Sequence, residues 1–443
     1  MKSDIKIVSF KGGVHPENDG KGLTNDAAIQ NAPLLDNYKV IVQQNIGAPP
    51  KVVVKAGDIV KKGQILAEAG GFVSVPLHSP TSGKVAGIVD IPGPMGVKVP
   101  AISIDADGED AWTDERMTPI DWKNAEPTEL KNRIQAAGIV GMGGAAFPTH
   151  VKLAPKDPSK IEYILVNGAE CEPYLTADHR LMLETPEKVL EGAAILGRIL
   201  GVSEVYIGIE VNKPDAIEAM LAKASAFGVK IVGMQVQYPQ GAEKQLIYAV
   251  TGRKVPLGGL PMDAGCVVQN VGTAAAAQEA VTQGIPLIER ITTVTGEDVV
   301  HPGNWRFKLG TPITKALELA GGVKSEPGKF ILGGPMMGFA QRSFDVTVMK
   351  NTSGILLLDP KDVVQYDSTA CIRCGRCLRA CPMDLHPGPL STLIESEQFE
   401  LAAQNHVMDC IECGSCAYAC PAHRPLVQHF RRAKAEIRKR MKK

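Results

Sequence analysis

The sequence predicts a multidomain α/β protein, and three observations predict it. Its 443 residues suit three or four domains of ordinary size. Between Val52 and Val85, short β-branched runs are split by Gly57-Asp58 and Lys62-Gly63 turns, the pattern of a small β-rich module. From Ile161 to Gln283, strand-like and helix-like stretches alternate, which argues a sheet covered by helices. A cysteine-rich end follows, with eight of the ten cysteines between Cys371 and Cys420.

Composition narrows the classes. Formal charge is zero and 44% of residues are hydrophobic, so the chain has true cores and no overall field for nucleic acid. No apolar run approaches the roughly 18 residues of a transmembrane helix. Met1-Lys2-Ser3-Asp4-Ile5-Lys6 lacks the apolar region of a signal peptide. Cysteines gathered in motifs fit a reducing cytoplasm, and Cys171 and Cys266 stand apart from them.

Taken in order, residues 1–36 are glycine-rich and polar and read as a surface-wrapping extension. Residues 37–110 contain Val54-Lys55-Ala56-Gly57-Asp58-Ile59-Val60-Lys61-Lys62-Gly63-Gln64, then Ser79-Pro80-Thr81-Ser82-Gly83-Lys84-Val85. These resemble the strands of the biotinyl/lipoyl barrel-sandwich hybrid. Carrier versions place a lysine on the hairpin between the halves. Here the place reads Glu68-Ala69-Gly70-Gly71-Phe72, without lysine, so a docking element is expected and not a covalent carrier.

Residues 125–284 carry the α/β alternation. A helix is expected over 128–137 with Thr128 as N-cap, strands over 161–166 and 205–209, and helices over 186–200, 214–224 and 273–283. Gly141, Gly143 and Ala146 match G-x-G-x-x-G/A, but a Rossmann loop needs a strand before it and a helix after it. A helical stretch precedes this one. Its glycines can still bring backbone N–H groups close to an anion; a plain tight turn is the other reading. Three polar loops accompany it: Asn167-Gly168-Ala169-Glu170-Cys171-Glu172-Pro173, Gly241-Ala242-Glu243-Lys244-Gln245 and Gln269-Asn270-Val271-Gly272-Thr273.

In this order the four loops resemble the FMN- and NADH-binding subunit of respiratory complex I. The resemblance implies that Gly141, Gly143, Gly144, Ala145 and Lys152 meet the flavin phosphate and ring. It implies further flavin contacts at Asn167, Glu170, Asn270 and Thr273, and nicotinamide-nucleotide contacts at Phe147, Glu172 and Glu243. Met142, Ala169, Cys171 and Ala242 depart from the family pattern. Cys171 is placed near the flavin, with a buried apolar thiol as the plainer reading.

Residues 285–360 read as strand over 290–296, helix over 312–319 and a strand running into a turn over 329–338, and are similar to a β-grasp, soluble-ligand-binding module. Residues 361–424 hold two runs of C-x2-C-x2-C-x3-C-P, Cys371, Cys374, Cys377, Cys381-Pro382 and Cys410, Cys413, Cys416, Cys420-Pro421. That is the bacterial ferredoxin spacing, in which the fourth cysteine of each run serves the other [4Fe–4S] cluster. The expected quartets are Cys371, Cys374, Cys377 and Cys420, and Cys410, Cys413, Cys416 and Cys381. Zinc sites use two pairs and not two runs of four. One helix is expected between the runs, over 390–404. Residues 425–443 read as a basic helix, lying on anionic lipid or an acidic partner or simply solvated.

Across nearly its whole length the chain resembles the C-subunit family of the Rnf complexes, membrane-bound ferredoxin:NAD oxidoreductases that couple electron flow to ion transport. The resemblance implies a double-[4Fe–4S] flavoprotein that exchanges hydride between NAD(H) and FMN and passes single electrons through its clusters. It implies other Rnf subunits as partners, among them an iron–sulfur subunit that accepts electrons from ferredoxin, and a peripheral position on the cytoplasmic face of the cell membrane. Two alternatives stand beside it: a microcompartment cobalamin reductase of similar build, and a non-catalytic iron–sulfur scaffold. Cofactors carry this chemistry, so no side chain is named as catalytic.

Overall fold

Apolar–polar alternation and tight turns do build a β-module after Asn37. The structure, a computed structural model, describes residues 5–94, 96–364 and 366–441; the first four residues of the extension and the last two of the basic tail lie outside them. In the β-module, Asn37–Ile41, Lys98–Ala106, Gly83–Pro92 and Ile59–Val60 form an antiparallel sheet. Lys51–Val52, Ile65–Glu68 and Leu77–His78 form a second. Val40, Val60, Leu66, Leu77, Val85, Ile102 and Ile104 are buried between them. The hairpin without lysine docks within the chain. Its Phe72 meets the His150 ring edge-on at 5.9 Å, and a His150 ring nitrogen lies 2.9 Å from the Phe72 carbonyl.

The central domain is a five-stranded parallel sheet in the order Ile7–Val8, Val229–Met234, Glu204–Glu210, Tyr163–Gly168, Cys266–Asn270. Helices Pro127–Ala136, Pro186–Leu200, Pro214–Ala224 and Val271–Thr282 share a core with it, and Glu243–Thr251 packs on the other face. Helix Pro186–Leu200 runs from a proline at its first turn to Gly201 in the left-handed conformation, the start and stop chemistry expected of such ends. It crosses Val271–Thr282 so closely that a Cβ on Gly192 would lie 1.9 Å from the Ala274 carbonyl oxygen. Three expectations change. The first helix starts at Pro127 with Glu126 as N-cap, because the proline φ already suits the first helical position; Thr128 is inside it. The strands extend to Gly168 and Glu210, and Val229–Met234 and Cys266–Asn270 join them. The last helix begins at Val271, where the Asn270 side chain accepts from Gly272 N and Thr273 N.

The extension does more than wrap the surface. Ile7–Val8 adds an edge strand to the parallel sheet, and Ile29–Asn31 adds one to the six-stranded sheet of the next domain. That sheet runs Phe339–Gln341, Lys329–Leu332, Gly354–Leu358, Glu289–Thr295, Gly303–Lys308, Ile29–Asn31, with helix Ile313–Leu319 sharing its core.

In the cysteine-rich domain the two runs have equivalent backbones. Arg373 and Glu412, Gly375 and Gly414, and Asp384 and His423 occupy matching positions, all at positive φ. The helix expected over 390–404 is two helices, Pro387–Glu395 and Phe399–Gln404, parted where Glu397 turns left-handed at φ 57°. The basic tail is neither free nor merely solvated. In helix Leu426–Met441, Leu426, Phe430, Ala433 and Ile437 are buried in the domain core. On its flank Arg431 and Lys434 pair with Glu412, and Arg432 with Glu397.

Candidate functional site

Chain order runs outward from Tyr163–Gly168 through Glu204–Glu210 to Val229–Met234, then returns to the other side with Cys266–Asn270. The switch point therefore lies between Tyr163–Gly168 and Cys266–Asn270, and crevices at the carboxyl ends of such strands take ligands. Both strand ends carry predicted site residues. Asn167 Nδ2 donates to the Gly241 carbonyl at 2.9 Å, and Asn167 Oδ1 accepts from Ala169 N at 2.9 Å. Asn270 Nδ2 donates to Asp178 at 2.6 Å. Thr273 Oγ1 accepts from Met142 N at 2.9 Å, which ties the glycine loop to the first turn of Val271–Thr282.

The glycine loop itself is open. Gly141 N donates to the Phe147 carbonyl at 2.8 Å, closing the loop at its base, and Gly143, Gly144 and Ala145 are exposed. Their amides donate to no protein acceptor among the described residues. Gly144 has φ 130°, a conformation that costs a side chain dearly. Unpaired amides on a concave backbone are the chemistry an anionic phosphate needs. Nearby, the amide of buried Gln240 has no partner among the described residues, a second polar feature at the loop that carries Gly241. The residues present thus fit a flavin phosphate.

Lys152 and Glu243, read separately from sequence, form one ion pair at 2.6 Å; Lys152 also donates to the Val268 carbonyl at 3.1 Å. Two acids sit otherwise than expected. The Glu170 carboxylate accepts from Asp178 N at 2.7 Å and His179 N at 3.0 Å, capping helix Ala177–Glu184. Glu172, for which the resemblance implies a nicotinamide-nucleotide contact, accepts from Met336 N at 3.0 Å and Met337 N at 2.8 Å. Burial pushes its carboxyl up to about 7, against those two hydrogen bonds. Glu172 therefore fastens the β-grasp turn Gly333–Gly338 to the flavin-type loop. Cys171 accepts from Gly241 N at 3.3 Å and packs with Met336, Ile411 and Cys413. Desolvation pushes its thiol up to about 12; the residue is half-buried, on the side of the crevice that faces the cysteine runs.

Sequence reasoning missed two lysines. Lys21, from the extension, is buried and donates to the carbonyls of Glu170 at 2.8 Å, Glu172 at 2.9 Å and Leu175 at 2.6 Å. Lys213 donates to the carbonyl of Ala169 at 2.7 Å and lies 3.4 Å from Glu210. Together they hold residues 169–175 from two sides. No local pattern marks Lys21, because its acceptors are more than 140 residues away. Arg290 was missed too; it is buried and donates to the carbonyls of Met142 and Lys350 at 2.8 Å each.

The cysteines gather crosswise. A Cβ on Gly388 would lie 3.7 Å from Cys377 Sγ and 3.9 Å from Cys371 Sγ, and Cys377 feels the charges of Cys420 and Cys371. Cys381, Cys410, Cys413 and Cys416 line one cavity. Burial, and then its neighbours in that cavity, push the Cys416 thiol up; Cys410 is pushed up to about 11. Arg373 N points to Cys371 Sγ at 3.4 Å and Glu412 N to Cys410 Sγ at 3.3 Å, donors that favour thiolate. Among the described residues no three His, Cys, Asp or Glu converge on a single ion. Thiols facing a shared space suit the corners of a cube better than one zinc.

Comparison with known proteins agrees with this construction. Family models match the RnfC barrel-sandwich hybrid domain at residues 8–109, the Nuo51 FMN-binding domain at 134–279, the SLBB domain at 291–340 and the 4Fe-4S dicluster domain at 363–421. Fold and site together define an electron-transfer protein of the flavin and iron–sulfur class. The C subunit of the proton-translocating ferredoxin:NAD(+) oxidoreductase complex of Clostridium ljungdahlii is 51% identical over 433 residues, 98% of this chain and 94% of the relative. The C subunit of the Na(+)-translocating complex of Acetobacterium woodii is 44% identical over 436 residues, 98% of each chain. The C subunit of the ion-translocating oxidoreductase complex of Rhodobacter capsulatus is 44% identical over 442 residues, 98% of this chain and 84% of the relative. The chain belongs to this C-subunit family, whose members work within an ion-translocating ferredoxin:NAD oxidoreductase complex and use FMN and [4Fe–4S] clusters. A NAD+-reducing [NiFe]-hydrogenase in its H2-reduced state shares the fold, with TM-score 0.51 and 18% identity over 72% of this chain and 64% of that one. Among the described residues no helix is long and apolar enough to cross a membrane.

Proposed function

We propose that this chain joins NAD(H) to the rest of its complex by a fixed electron path, from the switch-point crevice to the Cys381, Cys410, Cys413 and Cys416 cluster and then to the Cys371, Cys374, Cys377 and Cys420 cluster. FMN, when bound, supplies two-electron exchange with NAD(H) and one-electron exchange with the clusters. The open amides of Gly143, Gly144 and Ala145 would hold its phosphate; Gly141 and Phe147 close that loop. Asn167, Asn270 and Thr273 brace the loops around it, and Glu170 caps the helix beside it. The Lys152–Glu243 pair offers a cation to phosphate and a carboxylate to ribose hydroxyls. Phe147 and Glu243 keep the proposed nucleotide roles.

One observation carries the order of the path. The loop that bears Glu243 is bonded on its other side to segments carrying two ligands of one proposed cluster, Cys413 of the second run and Cys381 of the first. Tyr238 Oη donates to the Cys413 carbonyl at 2.7 Å, and Gln245 Nε2 donates to the Pro382 carbonyl at 3.0 Å. Short contacts of this kind bring one cluster against the flavin domain. The Cys371 run, with Cys371 and Cys374 exposed, lies outward. Cys381→Ala tests both claims. EPR of the reduced variant should lose the signal of the cluster held by Cys410, Cys413 and Cys416, and NADH should then reduce the remaining cluster more slowly. Loss confined to the Cys371 cluster would refute the crosswise assignment. NAD(H) is a cytoplasmic reactant, which supports a peripheral position on the cytoplasmic face; protease digestion of the chain in inverted but not in right-side-out vesicles checks it.

A further inference from the structure

The repeat inside the cluster domain provides its own control. At Glu412, Ser415 and Tyr418 of the second run, the first run has Arg373, Arg376 and Arg379. The two backbones match, down to the left-handed Arg373 and Glu412, so the fold does not require arginine at these places. All three arginines are exposed, and none pairs with a carboxylate among the described residues. Five other cations of the domain are engaged: Arg431 and Lys434 bond Glu412, Arg432 bonds Glu397, and Arg424 and Arg440 reach Glu395 and Glu400. Exposed apolar side chains border the free arginines, Ile372 at 67% and Leu378 at 44% exposure. Arg376 and Arg379 also line a basin with Tyr418, His423 and Cys420.

We propose that this face is the docking surface for the acidic face of a one-electron carrier protein. The inference rests on the iron–sulfur reading of Cys371, Cys374, Cys377 and Cys420, because it places the exchange at the edge where Cys371 and Cys374 are exposed. Three like charges without an ion pair among the described residues repel a basic partner and steer an acidic one. Arginine beside an apolar centre is also the composition of protein interfaces. Gly13 and Val14 line the same basin and Val14 bonds Tyr238, so a carrier seated here would reach the outer cluster at an edge that adjoins the flavin-domain contact.

The test returns the chain to complex lacking it, as wild type, as Arg376→Glu with Arg379→Glu, and as the milder Arg376→Gln with Arg379→Gln. Ferredoxin-driven NAD+ reduction should fall by about tenfold or more in the charge-reversed variant and less in the neutral one, with a flatter dependence on salt in both. Iron content, FMN content and NADH reduction of ferricyanide should stay within about twofold of wild type, since electrons then leave from the flavin. Unchanged ferredoxin-driven rates and salt dependence would overturn the proposal. So would wild-type binding to vesicles of anionic phosphatidylglycerol that the variants lose, which would make the face a lipid contact. Failure of the functional reading would be visible in wild type itself, as no NADH reduction of ferricyanide. Failure of the docking surface would show only as equality of wild type and variants.

Discussion

Lys21 illustrates control by a single residue. Its ammonium is taken out of water, which lowers its pKa, and three carbonyl bonds compensate. Lys21→Met would leave three buried or part-buried carbonyls without their donor, at a cost of about 3 kcal/mol. Urea denaturation should register that loss, and FMN titration of the apoprotein should show weaker binding while both clusters persist. Glu172 gives a second prediction, about pH. Its pKa is raised in the fold from an ordinary 4.5 to about 7, so the folded chain holds this proton more tightly than the unfolded one. The contribution is fully present below about 4.5 and is lost as pH rises through about 7. Glu172→Gln cannot titrate, so between pH 5 and 8 its Tm should fall less steeply than that of wild type, in parallel calorimetric scans. Parallel slopes would mean that the carboxyl does not titrate in this window.

At the scale of elements, charge does not foretell what a helix buries. Leu426–Met441 looks from its composition like a surface helix, yet its spacing of Leu426, Phe430, Ala433 and Ile437 turns one stripe inward. Phe430 is 1% exposed. Phe430→Ala should cost about 3–5 kcal/mol and accelerate iron loss under a chelator, measured by the decay of charge-transfer absorbance. The glycine loop behaves oppositely, since a Cβ on Gly144 would meet nothing within 4 Å. Gly144→Val is opposed by its φ of 130°, at about 1–3 kcal/mol, and meets no clash, so the variant should fold with its iron. Added bulk over the open amides should abolish FMN retention, read by flavin absorbance after gel filtration. Full FMN occupancy would remove this loop from the site.

At the scale of the molecule, the extension acts as a strap. It supplies edge strands to two sheets, the buried Lys21 between them, and Gly13, whose amide donates to the Ala380 carbonyl at 3.0 Å beside the cysteine runs. Removing residues 1–31 should therefore speed hydrogen exchange in both Val229–Met234 and Gly303–Lys308 and release FMN. Exchange that changes in only one sheet would show that the strap is not shared. Lys350 performs a similar task at the opposite junction. It is buried and bonds the carbonyls of Pro76 in the β-module and Gly138 in the flavin domain, at 3.1 Å and 2.7 Å. Burial alone pushes its pKa down to about 7.

The sequence by itself determined the features that depend on spacing along the chain. Cysteine intervals specified two cluster runs, proline opened Pro186–Leu200 and Pro214–Ala224 and glycine closed the first of them because capping is local chemistry. Four polar loops in a characteristic order were enough to name candidates around a flavin. Only the tertiary structure decided which of those candidates meet. Lys152 found Glu243 across 91 residues, and Glu172 turned to Met336 and Met337 across more than 160. Cys266–Asn270 became the neighbour of Tyr163–Gly168 through a crossover that no periodicity announces. The reason is physical: a buried carboxylate or ammonium takes whatever partner the packed chain brings within about 3 Å, and sheet order, not sequence distance, determines which partner that is.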